Sequence, residues 1–174
     1  GALLVREGLK FSGGQIGGGQ EKNLRSGTSN VPGILGMDAA LSAYRAQQEA
    51  WIGQMRICKQ RLYDNLMTIP DVFLNGPTVN EGAPHILNVS FPGVRGEVLV
   101  NALKKKKNNV STGSACSTHQ KGQNRILAAM GITGARAEGA LRFSLCPFLT
   151  EAEMDHAAEA LKEQVLFLRR FQRR

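Results

Sequence analysis

An α/β fold is predicted for this 174-residue chain by three observations. Short apolar runs of period two alternate with helical patterns after Pro70, the arrangement of a sheet covered by helices. A long stripe of apolar residues at helical spacing precedes them, from Met37 to Leu66. The apolar share, 42%, is enough for a chain of one domain's length to bury a core.

The elements follow in order. Gly1-Ala-Leu-Leu-Val5 reads as a buried strand. Ser12-Gly-Gly-Gln-Ile-Gly-Gly-Gly-Gln20 reads as loop, because glycine is costly inside regular structure. Asn30 is an N-cap with Pro32 in the first turn. From there Met37, Leu41, Tyr44, Trp51, Met55, Cys58, Leu62 and Leu66 form one long amphipathic helix or two nearly continuous ones. Val72-Phe-Leu74 is a short strand, and Ile86-Leu-Asn-Val-Ser-Phe91 a better one, with Leu87, Val89 and Phe91 on one face. Residues 97–105 form a helix with Val98, Leu99, Ala102 and Leu103 inward. A small-residue loop, residues 111–123, follows, and then a short helix stopped by Gly131. Leu141-Arg-Phe-Ser-Leu145 is a strand that sends Leu141, Phe143 and Leu145 one way and Arg142 and Ser144 the other. Thr150 and Glu153 make a capping box for the last helix, striped by Met154, Ala158, Leu161, Val165 and Leu168.

The net charge of +8 raises the question of nucleic acid. The excess sits in Lys104 to Lys107 and in Arg169, Arg170, Arg173 and Arg174. No aromatic residue interleaves with the first run and only Phe171 with the second, short of the series of aromatics a single-strand platform requires, so no direct nucleic-acid binding is expected. No run is long enough to span a bilayer and no leader precedes the first element, so a cytoplasmic protein off the membrane is expected. The cysteines, Cys58, Cys116 and Cys146, number three, in no paired spacing, which suits a reducing compartment.

Three motifs can carry chemistry. Gly17-Gly-Gly-Gln-Glu21 and Arg25-Ser-Gly-Thr28 stand before a helix start, where amides, a hydroxyl and an arginine can hold an anion, or simply connect. The Walker and dinucleotide spacings are both absent. Thr112-Gly-Ser-Ala-Cys-Ser-Thr118 sets Cys116 among small residues, where a thiol can be approached and can travel. His119 adds a Cys-x-x-His pair, short of a structural zinc site. The plain alternative is an incidental surface cysteine. Arg142 interrupts an apolar strand and needs an anion or water; its planar fork suits a carboxylate, although a structural ion pair serves as well. Cys58, on the apolar stripe, reads as core.

Together these motifs resemble the NifS/IscS-like cysteine desulfurases, fold-type I pyridoxal-phosphate enzymes. Gly17-Gly-Gly-Gln-Glu21, Leu24-Arg-Ser-Gly-Thr-Ser-Asn30, Ile86-Leu-Asn-Val-Ser-Phe91, Val110-Ser-Thr-Gly-Ser-Ala-Cys-Ser117 and Leu141-Arg-Phe-Ser-Leu145 match in order. The resemblance implies the C-terminal portion of that fold. Residues 1–30 would be the end of the large cofactor-binding domain with its interface loop, residues 31–68 the linking helix, and residues 69–174 the small α/β domain. It implies that sulfur is removed from L-cysteine, leaving L-alanine, and held on Cys116 as a persulfide. Arg142 would bind the substrate carboxylate and Thr28 the cofactor phosphate of the neighbouring subunit, which implies a homodimer. An acceptor protein would take the sulfur, for iron–sulfur cluster assembly or transfer-RNA thiolation.

The resemblance also sets limits. The family's cofactor lysine would lie just upstream of Gly1, so this chain alone is expected to be inactive. Cys146-Pro147 stands where the family continues with Gly-Arg, and Lys104-Lys-Lys-Lys-Asn-Asn109 replaces a more varied junction. Two rivals follow: a related pyridoxal enzyme such as a selenocysteine lyase, and a non-catalytic remnant or dimerisation module of the same fold.

Overall fold

The computed structural model describes residues 1–112 and 125–171. The chain divides into two compact units, Gly1–Gln48 and Glu49–Arg174.

In the first unit the opening run is not the expected strand. Residues 1–6 are irregular, and Leu3 and Leu4 are 70% and 95% exposed. A strand exists by hydrogen-bonding to a neighbour, and among the described residues none lies alongside. One turn of 3-10 helix, Gln20–Asn23, interrupts the glycine-rich loop. The helix α1, Val31–Met67, then begins as expected, with Asn30 Oδ1 accepting from the Gly33 amide at 3.1 Å. It is one continuous helix. Its early apolar residues, Val31, Ile34, Leu35, Met37, Leu41 and Tyr44, are exposed.

The second unit is an antiparallel three-stranded sheet with its main core on one face and a smaller apolar cluster on the other. The strands are β1, Phe73–Leu74; β2, Ile86–Ser90; and β3, Ala140–Ser144, in the order β1-β2-β3. Alternation puts Leu87, Val89 and Phe91 beside Leu141, Phe143 and Leu145 in the core. Met55, Cys58, Leu62 and Leu66 of α1 are buried, and the last three join this core. So does α5, Glu151–Arg169, through Met154, Ala158, Leu161 and Val165. Both halves of its capping box are formed: Thr150 Oγ1 accepts from the Glu153 amide and the Glu153 carboxylate accepts from the Thr150 amide.

The helix α2, Gly96–Lys105, packs through Leu99 and Leu103, whereas Val98 is 44% exposed and Val100 half-buried. The inward face is therefore 96, 99, 100 and 103, a spacing of three, one and three residues that excludes Val98. The helix α3, Arg125–Ala129, ends before Gly131, whose φ is 74°. A helix not expected from the sequence, α4, spans Gly134–Glu138 and delivers the chain to β3. Between them Gly139 is required: a Cβ there would overlap the Phe91 carbonyl oxygen, while the Phe91 amide donates to the Gly139 carbonyl at 2.9 Å.

Two polar clamps tie this unit together. Arg169, at the end of α5, donates to the carbonyls of Pro70, Asp71 and Pro92 at 2.6, 2.9 and 3.1 Å. The buried Lys59 ammonium donates to the Val79 and Ala83 carbonyls, both at 3.0 Å, holding the loop before β2. Among the described residues no helix is long and apolar enough to cross a membrane.

Candidate active site

The second unit carries its polar chemistry on the sheet face opposite the core. The ladder between β2 and β3 is phased by two bonds at its ends, Phe91 N–H to the Gly139 carbonyl and Leu145 N–H to the His85 carbonyl, each 2.9 Å. Counting inward in steps of two, Asn88 and Arg142 face one another as a non-hydrogen-bonded pair, the kind in which side chains approach most closely. The backbone groups of Arg142 turn instead to Ser111, donating to its carbonyl at 2.6 Å and accepting from its amide at 3.2 Å. The backbone of Asn88 turns the other way, its carbonyl accepting from Asn75 at 2.9 Å. Asn75, Asn88, Arg142 and Ser111 thus form one polar row across the sheet.

This row is largely satisfied. Arg136, from α4, donates through Nε to Asn75 Oδ1 at 3.0 Å and through Nη2 to the Leu74 carbonyl at 2.7 Å, with its guanidinium over the Phe73 ring. Asn75 Nδ2 donates to Asn88 Oδ1 at 2.7 Å and to Ser90 Oγ at 2.6 Å. The exception is Arg142. Its Nε is buried with no hydrogen-bond partner among the described residues. A guanidinium N–H in that state is costly to leave unmade.

Cys116, and with it His119, lies outside the described residues. The chain enters that segment at Thr112, directly after the Ser111 bridge to Arg142. The other cysteines divide by environment. Cys58 is fully buried, with Gln54 Nε2 donating to its Sγ at 3.4 Å and its thiol reaching the Leu149 carbonyl at 3.3 Å. Burial pushes that thiol above the usual cysteine range, which makes it a poor nucleophile. It is core, as its position on the stripe suggests. Cys146 is exposed, and its backbone does not hold the left-handed conformation that favours glycine.

In the first unit, taken by itself, Thr28 is exposed at the end of a self-tied loop. Arg25 Nη1 donates to the Gly27 and Thr28 carbonyls at 3.2 and 2.7 Å, and the Gly27 amide donates to Gln20 Oε1 at 3.1 Å. Gly27 has φ 92°, so the tight turn before Thr28 suits glycine alone. Arg25 is thereby spent on its own loop, while Thr28 is exposed.

Of the residues singled out in sequence, the structure describes Arg142 and Thr28, one in each unit. Sequence reasoning missed Asn75, Asn88 and Arg136. Asn88 was readable as lying opposite Leu87 and Val89, but only the pairing register puts it against Arg142.

A buried, unpartnered arginine Nε on a short antiparallel sheet, bridged through its backbone to Ser111, is the feature to set beside known proteins. The aminotransferase class-V family model matches residues 12–156, and the chain belongs to that family. Its relatives are more particular. It is 38% identical over 171 residues to cysteine desulfurase IscS of Klebsiella pneumoniae, covering 97% of this chain and 42% of that protein. It is 40% identical to cysteine desulfurase IscS of Photorhabdus laumondii over the same shares. Among solved structures, a NifS-like protein superposes with a TM-score of 0.80 at 34% identity, over 94% of this chain and 41% of the other. A NifS-like protein from Rickettsia africae shares the fold, with a TM-score of 0.76 at 23% identity. The chain spans about two-fifths of the length of these relatives.

Proposed function

We propose that the protein is a pyridoxal-phosphate-dependent cysteine desulfurase, with this chain supplying its substrate-carboxylate site and its sulfur-accepting thiol. The observation that carries the reading is the buried, unpaired Nε of Arg142 beside the Ser111 stem from which the Cys116 segment departs. Enzymes of the aminotransferase class-V family use pyridoxal phosphate, and the cofactor supplies an electron sink that loosens the bond between the substrate carbon and its sulfur. The groups of this chain suit that use. Thr28 offers a hydroxyl to a cofactor phosphate in the neighbouring subunit of a homodimer, and Arg142 offers a fork to the L-cysteine carboxylate.

Cys116 is the nucleophile. Its thiolate attacks the substrate sulfur; the new bond is sulfur to sulfur, and the bond that breaks is carbon to sulfur. L-cysteine and the Cys116 thiol are consumed, and L-alanine and a Cys116 persulfide are formed. The persulfide then passes to an acceptor protein, in iron–sulfur cluster assembly or transfer-RNA thiolation, in the cytoplasm. Residues 1–30 close the large domain, residues 31–68 link, and residues 69–174 carry the site.

The test is sulfur bookkeeping on the full-length, cofactor-loaded protein given L-cysteine. Mass spectrometry should find one extra sulfur on the peptide bearing Cys116, with alanine formed in step. In Cys116→Ala, persulfide formation should be abolished while the cofactor's absorbance is retained. Sulfide release by that variant at the parent rate removes Cys116 from the reaction.

A further inference from the structure

The amide orientations on the polar row follow from donors and acceptors alone. Arg136 has only donors to offer, so the Asn75 atom it meets is the oxygen, as the 3.0 Å contact to Oδ1 has it. The other end of the Asn75 amide is therefore NH₂, and the Asn88 atom it meets at 2.7 Å is again an oxygen. Asn88 is left with its Nδ2 turned away from Asn75, with no hydrogen bond to it among the described residues. On the strand beside it stands Arg142, with a buried Nε likewise unmet. Two uncommitted N–H donors, one on each member of a close cross-strand pair, share one face of the sheet, and no acceptor among the described residues bonds either of them. A ligand with two acceptor oxygens would satisfy both.

We propose that Asn88 is a second carboxylate-binding residue, taking one oxygen of the anion that Arg142 holds, and that Asn75 and Arg136 are positioning residues that keep its amide nitrogen facing the ligand. The identity of the anion as the L-cysteine carboxylate rests on the desulfurase reading; the paired-donor site does not. A neutral donor beside a cationic one has a purpose here. It fixes the plane of the carboxylate, which a single contact through Nε leaves free to turn, and it does so without adding a second charge to desolvate.

The experiment is a nitrogen-15 NMR titration of the full chain with sodium acetate, with sodium chloride as the control for ionic strength. The side-chain signals of Arg142 Nε–H and Asn88 Nδ2–H₂ should move together with one dissociation constant, and chloride should move neither. Asn88→Ala should weaken acetate binding at the Arg142 signal by about tenfold, the loss of one hydrogen bond to a charged group. If alanine unfolds the strand, Asn88→Ser keeps a small polar residue and should weaken binding likewise. Arg136→Met should also weaken it, because the Asn75 amide is then free to turn, and the Asn88 signal should broaden. In the full-length enzyme Asn88→Ala should raise KM for L-cysteine with little change in kcat.

Acetate moving Arg142 alone, with unchanged affinity in the Asn88 variants, overturns the proposal and leaves the desulfurase reading intact. Acetate moving both residues, while the full-length, cofactor-loaded protein forms no alanine from L-cysteine, supports the paired site and overturns the desulfurase reading instead.

Discussion

Arg142 stands among Leu141, Phe143 and Leu145, and alternation alone keeps its charge out of the core they form. Its own backbone groups bond to Ser111, and its neighbours Leu141 and Phe143 pair with β2 on the other side, so the side chain starts from a fixed platform. Arg142→Ala should lower kcat/KM for L-cysteine by a factor corresponding to roughly 2–4 kcal/mol, the loss of a charge-assisted contact to a carboxylate. Arg142→Lys should recover only part of it, since a point charge does not reproduce the fork. Steady-state kinetics on both variants decide the matter: kcat/KM within threefold of the parent for the alanine variant makes the arginine structural.

The helix α5 shows how local signals and distant partners combine in one element. Glu153 caps its first turn, and hydrogen bonds from Thr150 hold that carboxyl below the usual range. Two residues on, Asp155 accepts from Arg61 Nε and Nη2 at 2.7 and 2.9 Å and from Asn65 Nδ2 at 2.7 Å. The Arg61 contact, then Asn65, pulls its carboxyl below the usual range as well. Both groups bind protons less readily folded than unfolded. Their contribution to stability is therefore complete above the unfolded carboxyl values of about 4 and is lost as pH falls through the lower folded ones. Asp155→Asn should lower Tm near neutral pH, and its difference from the parent should shrink toward zero in strong acid. A difference that stays constant across that range would show that the effect is not ionic. Much of this element was legible in sequence, because a capping box and a helical stripe are contained within a few residues of one another. The same holds for the strand alternation around Arg142. What was not legible depends on pairing. Nothing local aligns Asn75, Asn88, Arg142 and Ser111, α4 is too short to show a period, and the opening apolar run suggested a strand that has no neighbour among the described residues.

At the scale of the whole second unit, the end of the chain secures its beginning. Arg169 spans from the last turn of α5 to the turn after α1, at Pro70 and Asp71, and to the turn before α2, at Pro92. Asp71 holds a left-handed φ of 53°, a conformation that costs a non-glycine residue energy and that this clamp helps maintain. Arg169→Met keeps the stem and removes the donors. It should destabilise the unit by about 2 kcal/mol, in the range for lost hydrogen bonds from a charged group, read as a lower urea midpoint with an unchanged slope. An unchanged midpoint would assign the three carbonyls to water instead.

The contrast between Cys58, sealed in the core, and Cys146, open to solvent, gives the protein an internal clock for its own opening. An alkylating reagent meets Cys146 in the native state at a rate set by the reagent. It meets Cys58 only when α1 lifts from the loop that carries Leu149 and the Gln54 contact lets go. The ratio of the two labelling rates, with Cys146 as reference, therefore measures the free energy of that local separation under native conditions, without denaturant. Anything that tightens the packing of α1 against the sheet slows the Cys58 reaction and leaves the Cys146 reaction where it was.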